Sequence, residues 1–305
     1  MGKYILKRIA VSILSLIAVM SITFFLIRII PGGPFTDEKN IPPQVMENIL
    51  ARYKLNDPLY KQYADYLLNV LRFDFGPSFR YEGMSVNDII SQSFPISAEI
   101  GSLAIIISIL FGIPIGVISA INRGKKIDKI LSVISVMGIT TPNFVIAIIL
   151  TYIFILKLGI FKIGGSSGIS GMVLPAVTLS GFPMAFISRI IRSSMLEVIE
   201  RDYIKTARAK GMTENKVIYV HALKNALMPV LTYLGPIAAG VLTGSFVVEQ
   251  LYAVHGIGTY FVTSIQDRDY TTIVGVTVLY SFILITFNLI VDICYAVIDS
   301  RIKLE

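Results

Sequence analysis

RDYIKTARAKGMTENKVIYVHALKNALMP, residues Arg201 to Pro229, is the stretch from which the rest of the chain is read. It is polar, basic and helical in pattern, yet it sits between segments suited to lipid. From Asp202 to Lys210 the apolar side chains Tyr203, Ile204 and Ala207 share one face of a short helix, and Lys205, Arg208 and Lys210 take the other. Gly211 is expected to end that helix, since glycine accepts the left-handed backbone of a helix terminus. Thr213 then stands where it caps a second helix, running from Glu214 towards Asn225. Two readings stay open from charge alone: a solvated positive connector, or a compact knob that docks something.

The composition around this stretch is that of an integral membrane protein. Of 305 residues 54% are hydrophobic and only 15% charged, with a mean hydropathy of +0.72. The net charge of +7 does not point to nucleic acid, because the basic residues flank apolar runs instead of gathering on one polar domain. The one cysteine, Cys294, excludes an internal disulfide framework. His221 and His255 are too few and too far apart for a metal cluster, so no metal ligands are assigned. Neither histidine falls in an apolar run, which argues against a Ser and His pair at membrane depth, and no catalytic residues are assigned. No GxxxxGK[ST] loop occurs, so energy from ATP would have to come through a partner.

Six spans can be placed. Nineteen uncharged residues from Ile9 to Ile27 make about 28 Å of helix, close to the hydrocarbon thickness and too long for a signal peptide, so a retained first span is expected. Arg28 is expected to snorkel outward at its far end, and the PGGP run at Pro31 to Pro34 breaks it. The polar section to about residue 95 holds a helix-like stretch from Gln44 and a second, Leu55 to Gly76, with Leu59, Tyr63, Tyr66, Leu67 and Val70 on one face. The later spans are expected at Ile100 to Asn122, Ile130 to Leu156, from near Val173 to Ser188, Asn225 to Val248 and Thr271 to Val291. With an inside N-terminus, Lys and Arg number seventeen inside and nine outside, with Arg28 at a boundary. Both termini are therefore expected to be cytoplasmic. The division follows: 1–30 as the first span, 31–98 as an extracytoplasmic lid, 99–299 as the core with a loop at 193–224, and 300–305 as a tail.

Few ionisable groups lie near the spans. Glu99, Glu249 and Asp292 all fall at helix ends, where an interfacial or paired carboxylate is the ordinary reading, and Arg189 or Arg192 are the expected partners of Asp292. Prolines and glycines recur in the spans, as close helix packing or a water-filled path would require. Thr232, Gly240, Thr243, Gly244 and Ser245 along the fifth span are candidates for such a path.

Several motifs combine into a resemblance. DYIKTARAKGM at Asp202 to Met212, with HALKNALMPV at His221 to Val230, resembles the cytoplasmic signature of ABC-importer permeases of the dipeptide and oligopeptide branch. Lys205, Thr206 and Ala207 occupy its triplet, and Pro229 stands in place of a proline at Lys224. YKLNDPLYKQYADYL, GIPIGVISA, TPNFV, MAFISRIIRSSMLEV, GSFVVEQLYAVHGIG and DRDY agree, and GGPF and DFGPSF are most similar to an oligopeptide subunit. DSR at Asp299 to Arg301 departs from a usual DPR.

The resemblance implies an all-α type I importer fold of the MetI-like kind in a bacterial or archaeal cytoplasmic membrane. It implies a second, related permease, two cytoplasmic ATPases that carry the ATP and Mg²⁺, and an extracytoplasmic peptide-binding protein. Tyr203, Ile204, Lys205, Thr206, Ala207, Arg208, Lys210 and Gly211 are then expected to dock the ATPase, with Tyr203, Ile204 and Ala207 in a groove and the cations on an acidic rim. The cargo would be oligopeptides; dipeptides, nickel chelates or glutathione are alternatives on the same fold, and an ATPase-independent channel or a scaffold is the alternative of another class.

Overall fold

Ser85 begins the longest helix through a reciprocal cap: its Oγ accepts the Asp88 N–H at 3.1 Å, and the Asp88 carboxylate accepts the Ser85 N–H at 3.0 Å. The helix therefore starts at Val86, not at Ile100, and crosses the boundary expected near residue 98. The computed structural model describes residues 2–29, 53–162 and 169–298, with positions 34, 44, 47, 50 and 51. The PGG run at Pro31 to Gly33, most of the stretch from Gln44, GGSSG at Gly164 to Gly168 and DSR at Asp299 to Arg301 lie outside the described residues.

In chain order the helices are α1 Gly2–Ile29, α2 Leu59–Leu71, α3 Val86–Ile121, α4 Lys126–Thr140, α5 Asn143–Lys157, α6 Ile169–Ile199, α7 Asp202–Ala209, α8 Glu214–Ala226, α9 Met228–Leu242, α10 Phe246–Leu251, α11 Ile257–Gln266 and α12 Tyr270–Ile298. Apart from one isolated bridge between Pro77 and Ser85, the described residues hold no β pairing. Leu6–Ile29, Val86–Ile121, Gly171–Ile199 and Tyr270–Ile293 are long and apolar enough to cross a membrane; α4 with α5 and α8 with α9 qualify as bent pairs, which brings the number to six if each pair is one span.

The third expected span is not straight. α4 and α5 meet at 108°. Pro142 has no N–H to continue the helix and pushes Thr141 into an extended conformation, φ −79° and ψ 121°. The fifth is shorter than expected: α8 and α9 bend by 52° at Leu227, and α9 ends at Leu242, where Gly244 takes φ +83° and turns the chain into α10.

α3 and α6 form the centre, running parallel with glycines at the seam. A Cβ on Gly112 would lie 2.8 Å from the Met184 carbonyl, and one on Gly116 2.6 Å from the Ser188 carbonyl. Between helices in lipid there is little hydrophobic drive, so close backbone approach supplies the packing, and GIPIG at Gly112 to Gly116 is the small-residue pair that allows it. At one end of the bundle Ile187, Ile191 and Met195 of α6 continue into a core with Ile204, Val217 and Ala222. At the opposite end α2 and α11 pack over α1 and α12.

Candidate functional site

α7 is mounted on the continuous core below α6. Its first turn carries Asp202, whose carboxylate complements the helix N-terminus. Its last turn closes as a Schellman motif, with the Gly211 N–H on the Arg208 carbonyl at 2.9 Å and the Met212 N–H on the Ala207 carbonyl at 3.3 Å. Gly211 sits at φ +76°, as the sequence required. α8 does start after Thr213, but the Thr213 side chain makes no capping bond, and the helix widens into a π-helical turn at Val217–Ala222.

The apolar face of α7 is used differently from the expectation. Ile204 is 0% and Ala207 7% exposed, both inside the core shared with α6 and α8, so they seat the knob on its own chain. They are not available to a groove on another protein. Tyr203, Lys205, Thr206, Arg208, Lys210 and Gly211 are exposed, next to exposed Tyr219 and Val220 of α8. The charges are braced locally. Arg208 reaches both oxygens of Glu214 at 3.1 and 2.6 Å, Lys205 meets Asp202 at 2.9 Å, and Asn225 donates to the Tyr203 hydroxyl at 2.8 Å. Lys205 holds the Asp202 carboxyl below the usual carboxylate range, and Glu214 holds the Arg208 guanidinium above its ordinary value.

The five path candidates do not stay together. Thr232 and Gly240 lie on one exposed face of α9 with Tyr233 and Pro236, and a Cβ on Gly240 would meet nothing within 4 Å. Phe186 of α6 packs edge-on against Tyr233 along the same face. Thr243 is turned inward, 8% exposed, with its hydroxyl on the Ala239 carbonyl. Gly244 and Ser245 form the break before α10, where Gly244 packs against Glu249 and Ser97. Thr243 and Gly244 are thus packing and turn residues of this chain.

The carboxylates find partners that spacing did not suggest. Asp292 pairs with Arg8 of α1 at 3.1 Å. Arg192 instead holds Asp128, through bonds of 2.8 and 3.0 Å, with Ser119 Oγ–H and Gly124 N–H completing the site. That cluster fastens the hairpin between α3 and α4 to α6. Glu249, 2% exposed, accepts from Ser97 at 2.7 Å and from the Thr259 N–H at 2.9 Å, joining α10, α3 and α11. Asp269, fully buried, caps α12 through the Thr272 N–H and accepts from Ser78 and the Phe79 N–H, so DFGPSF and DRDY meet across 191 positions of chain. Among the described residues no group of His, Cys, Asp and Glu is arranged to hold a metal.

The knob and bent-span architecture can be set beside known proteins. The family described as "Binding-protein-dependent transport system inner membrane component" matches residues 112–304, and the corresponding N-terminal family matches residues 1–101. The chain belongs to this family. The whole length of this inner membrane component is also similar to curated relatives. It is 44% identical to the dipeptide transport system permease protein DppB of Bacillus subtilis, over 100% of this chain and 99% of that one. It is 43% identical to the oligopeptide transport system permease protein OppB of Haemophilus influenzae, over 99% and 100%. Among solved structures, an amino acid ABC transporter matches with a TM-score of 0.55 at 18% identity, over 70% of this chain and 95% of that one. The MetNI methionine ABC transporter in inward-facing conformations matches at 0.54 and 18%, over 69% and 94%. These two likenesses carry the fold. The inner membrane component is all-α with a MetI-like permease architecture, as the motifs implied. With its own four to six helices long and apolar enough to cross a membrane, it is a multi-pass membrane component.

Proposed function

We propose that this chain is the transmembrane permease subunit of an ATP-driven importer of oligopeptides. Full-length similarity to peptide-transport permeases is the observation that carries the reading. DppB and OppB relatives match equally well, so dipeptide import is the second reading. Both termini lie in the cytoplasm, consistent with the excess of Lys and Arg on that side. A second permease covers the exposed α9 face, two ATPases carrying ATP and Mg²⁺ bind at the α7 end, and a peptide-binding protein docks at the α2 end. This subunit performs transport and no chemistry of its own.

The coupling mechanism follows from how α7 is held. An ATPase touches the exposed side chains Tyr203, Lys205, Thr206, Arg208 and Lys210, while buried Ile204 and Ala207 pass any displacement into α6 and α8 as one packed unit. α8 leads directly into α9, so a tilt of the knob moves the face bearing Thr232 and Gly240. The test is pull-down from detergent-solubilised membranes together with uptake of a labelled tripeptide. Wild type should bring down a second permease and an ATPase with a phosphate loop. Tyr203→Ala with Lys205→Glu should lose only the ATPase and abolish uptake. An ATPase that stays bound to this variant would refute the docking surface, and the absence of any ATPase with wild type would refute the importer reading.

A further inference from the structure

The end of α1 opposite Arg8 holds a guanidinium that has no counter-charge among the described residues. Arg28 directs Nε and Nη2 to the Gln62 side-chain oxygen at 3.3 and 3.1 Å and Nη1 to the Phe24 carbonyl at 3.1 Å, with its carbon 3.5 Å from the centre of the Phe24 ring. All of these acceptors are neutral, and no carboxylate among the described residues pairs with it. Gln62 is itself fixed, donating to the Leu55 and Asp57 carbonyls at 3.1 and 2.8 Å, so its oxygen stays aimed at Arg28. Arg28 is half-buried, with α2 folded against it. Three of the five N–H donors of the fork are committed by these bonds, which leaves two free to bind.

Beside Arg28, the Tyr66 hydroxyl is shielded from solvent and has no hydrogen-bond partner among the described residues. Its ring stacks on Phe24 at 5.4 Å. Burial pushes the hydroxyl above its ordinary value, so it stays a donor. Both groups line one cavity of about 260 Å³ between α1, α2, the 74–79 loop and α12, together with Phe24, Asn69, Tyr270 and Val274. Two carboxylates line it as well, and both are engaged elsewhere: Asp65 by Lys54 at 3.2 Å and Asp74 by the Gly76 N–H at 2.9 Å. A half-buried cation and an unused donor beside the same space are costly unless an anion answers them.

We propose that this cavity binds the phosphodiester of a membrane phospholipid, with Arg28 and Tyr66 as its donors. The depth argues for a lipid as the source. Arg28 closes an apolar span of 24 residues, about 36 Å of helix, which places it at the headgroup layer of one leaflet. Phe25, Leu26 and Ile29 are exposed next to it, as are Leu68 and Leu71 of α2, where acyl chains would run. Guanidinium and phosphate match in geometry as well as charge. A lipid held there would fix α2 against α1 and set the angle of the lid.

The full chain, purified in a phosphate-free maltoside detergent, is titrated with dioctanoyl phosphatidylglycerol, dioctanoylglycerol, inorganic phosphate and a tripeptide, and binding is followed by calorimetry. The phospholipid should bind saturably, with dioctanoylglycerol at least tenfold weaker. Arg28→Gln should weaken phospholipid binding tenfold or more. Tyr66→Phe should weaken it about threefold while leaving thermal stability unchanged, because that hydroxyl supports nothing else in the fold. Equal binding of dioctanoylglycerol, or unchanged affinity in both variants, overturns the proposal. Inorganic phosphate binding as tightly as the lipid would make this a soluble-anion site, and competition by the tripeptide would make it a cargo site; either overturns the lipid assignment. None of these outcomes depends on an ATPase, so the importer reading stands or falls separately.

Discussion

Replacing Gly116 by alanine tests the packing on which the membrane core rests. The added Cβ would lie 2.6 Å from the Ser188 carbonyl oxygen, 2.7 Å from Ile191 Cβ and 2.8 Å from Ile191 Cγ2. A backbone carbonyl and a β-branched stem cannot turn aside, so α3 and α6 must separate by roughly 0.5 Å, which forfeits about a quarter of each close contact along the seam. Overpacking of this kind costs about 1–3 kcal/mol, or roughly 5- to 140-fold in the folded fraction. Gly240→Ala is the matched control, because nothing lies within 4 Å of its Cβ. The assay is unfolding of the detergent-purified chain with increasing sodium dodecyl sulfate, followed by circular dichroism. The midpoint should fall for Gly116→Ala and stay within error for Gly240→Ala. Equal midpoints for Gly116→Ala and wild type would show that α3 and α6 do not meet in this register.

Asp128→Asn leaves Arg192 with a neutral partner in a half-buried site, which should cost about 2–3 kcal/mol in the same assay, and adding Arg192→Met should recover part of it. Asp269→Ala removes the α12 cap and the tie to Ser78 and Phe79; a loss of about 2 kcal/mol and faster proteolysis within residues 74–81 are expected, and unchanged proteolysis would contradict the tie. Arg208→Glu sets two acids against each other beside the knob, so ATPase recovery in pull-down should drop. The double variant Arg208→Glu with Glu214→Arg should restore it if bracing is what matters. Asp202 carries its pKa below the ordinary value of about 3.9, so its attraction to Lys205 is present above that pH and lost as pH falls through the lowered value. A stability difference between wild type and Asp202→Asn that persisted in strong acid would contradict this.

Local chemistry carried much of the fold into the sequence. Runs of uncharged residues marked the spans, since lipid tolerates few alternatives, and Gly211 announced the end of α7 because only a left-handed residue closes that turn. The motifs around Asp202 to Val230 named the family before any geometry was known. The Ser85 and Asp88 cap was also legible, as S-x-x-D ahead of an apolar run.

Tertiary structure decided the partners. Helical periodicity placed Ile204 and Ala207 on an apolar face, but an apolar face fits a neighbour in the same chain as well as one in another protein, and only the packing of α6 and α8 shows which. The charges at Asp292 and Asp128 could be counted, yet their pairing with Arg8 and Arg192 depends on how α1 meets α12 and how the α3–α4 hairpin meets α6. That Arg28 meets Gln62 depends likewise on how α2 packs against α1. The sequence by itself determined which segments are apolar enough to enter the membrane and that α7 ends at Gly211, because those follow from local solvation and backbone sterics. Which charge meets which, and which face is left for a partner, required the long-range contacts, because Coulomb and packing energies depend on distances that no local pattern encodes.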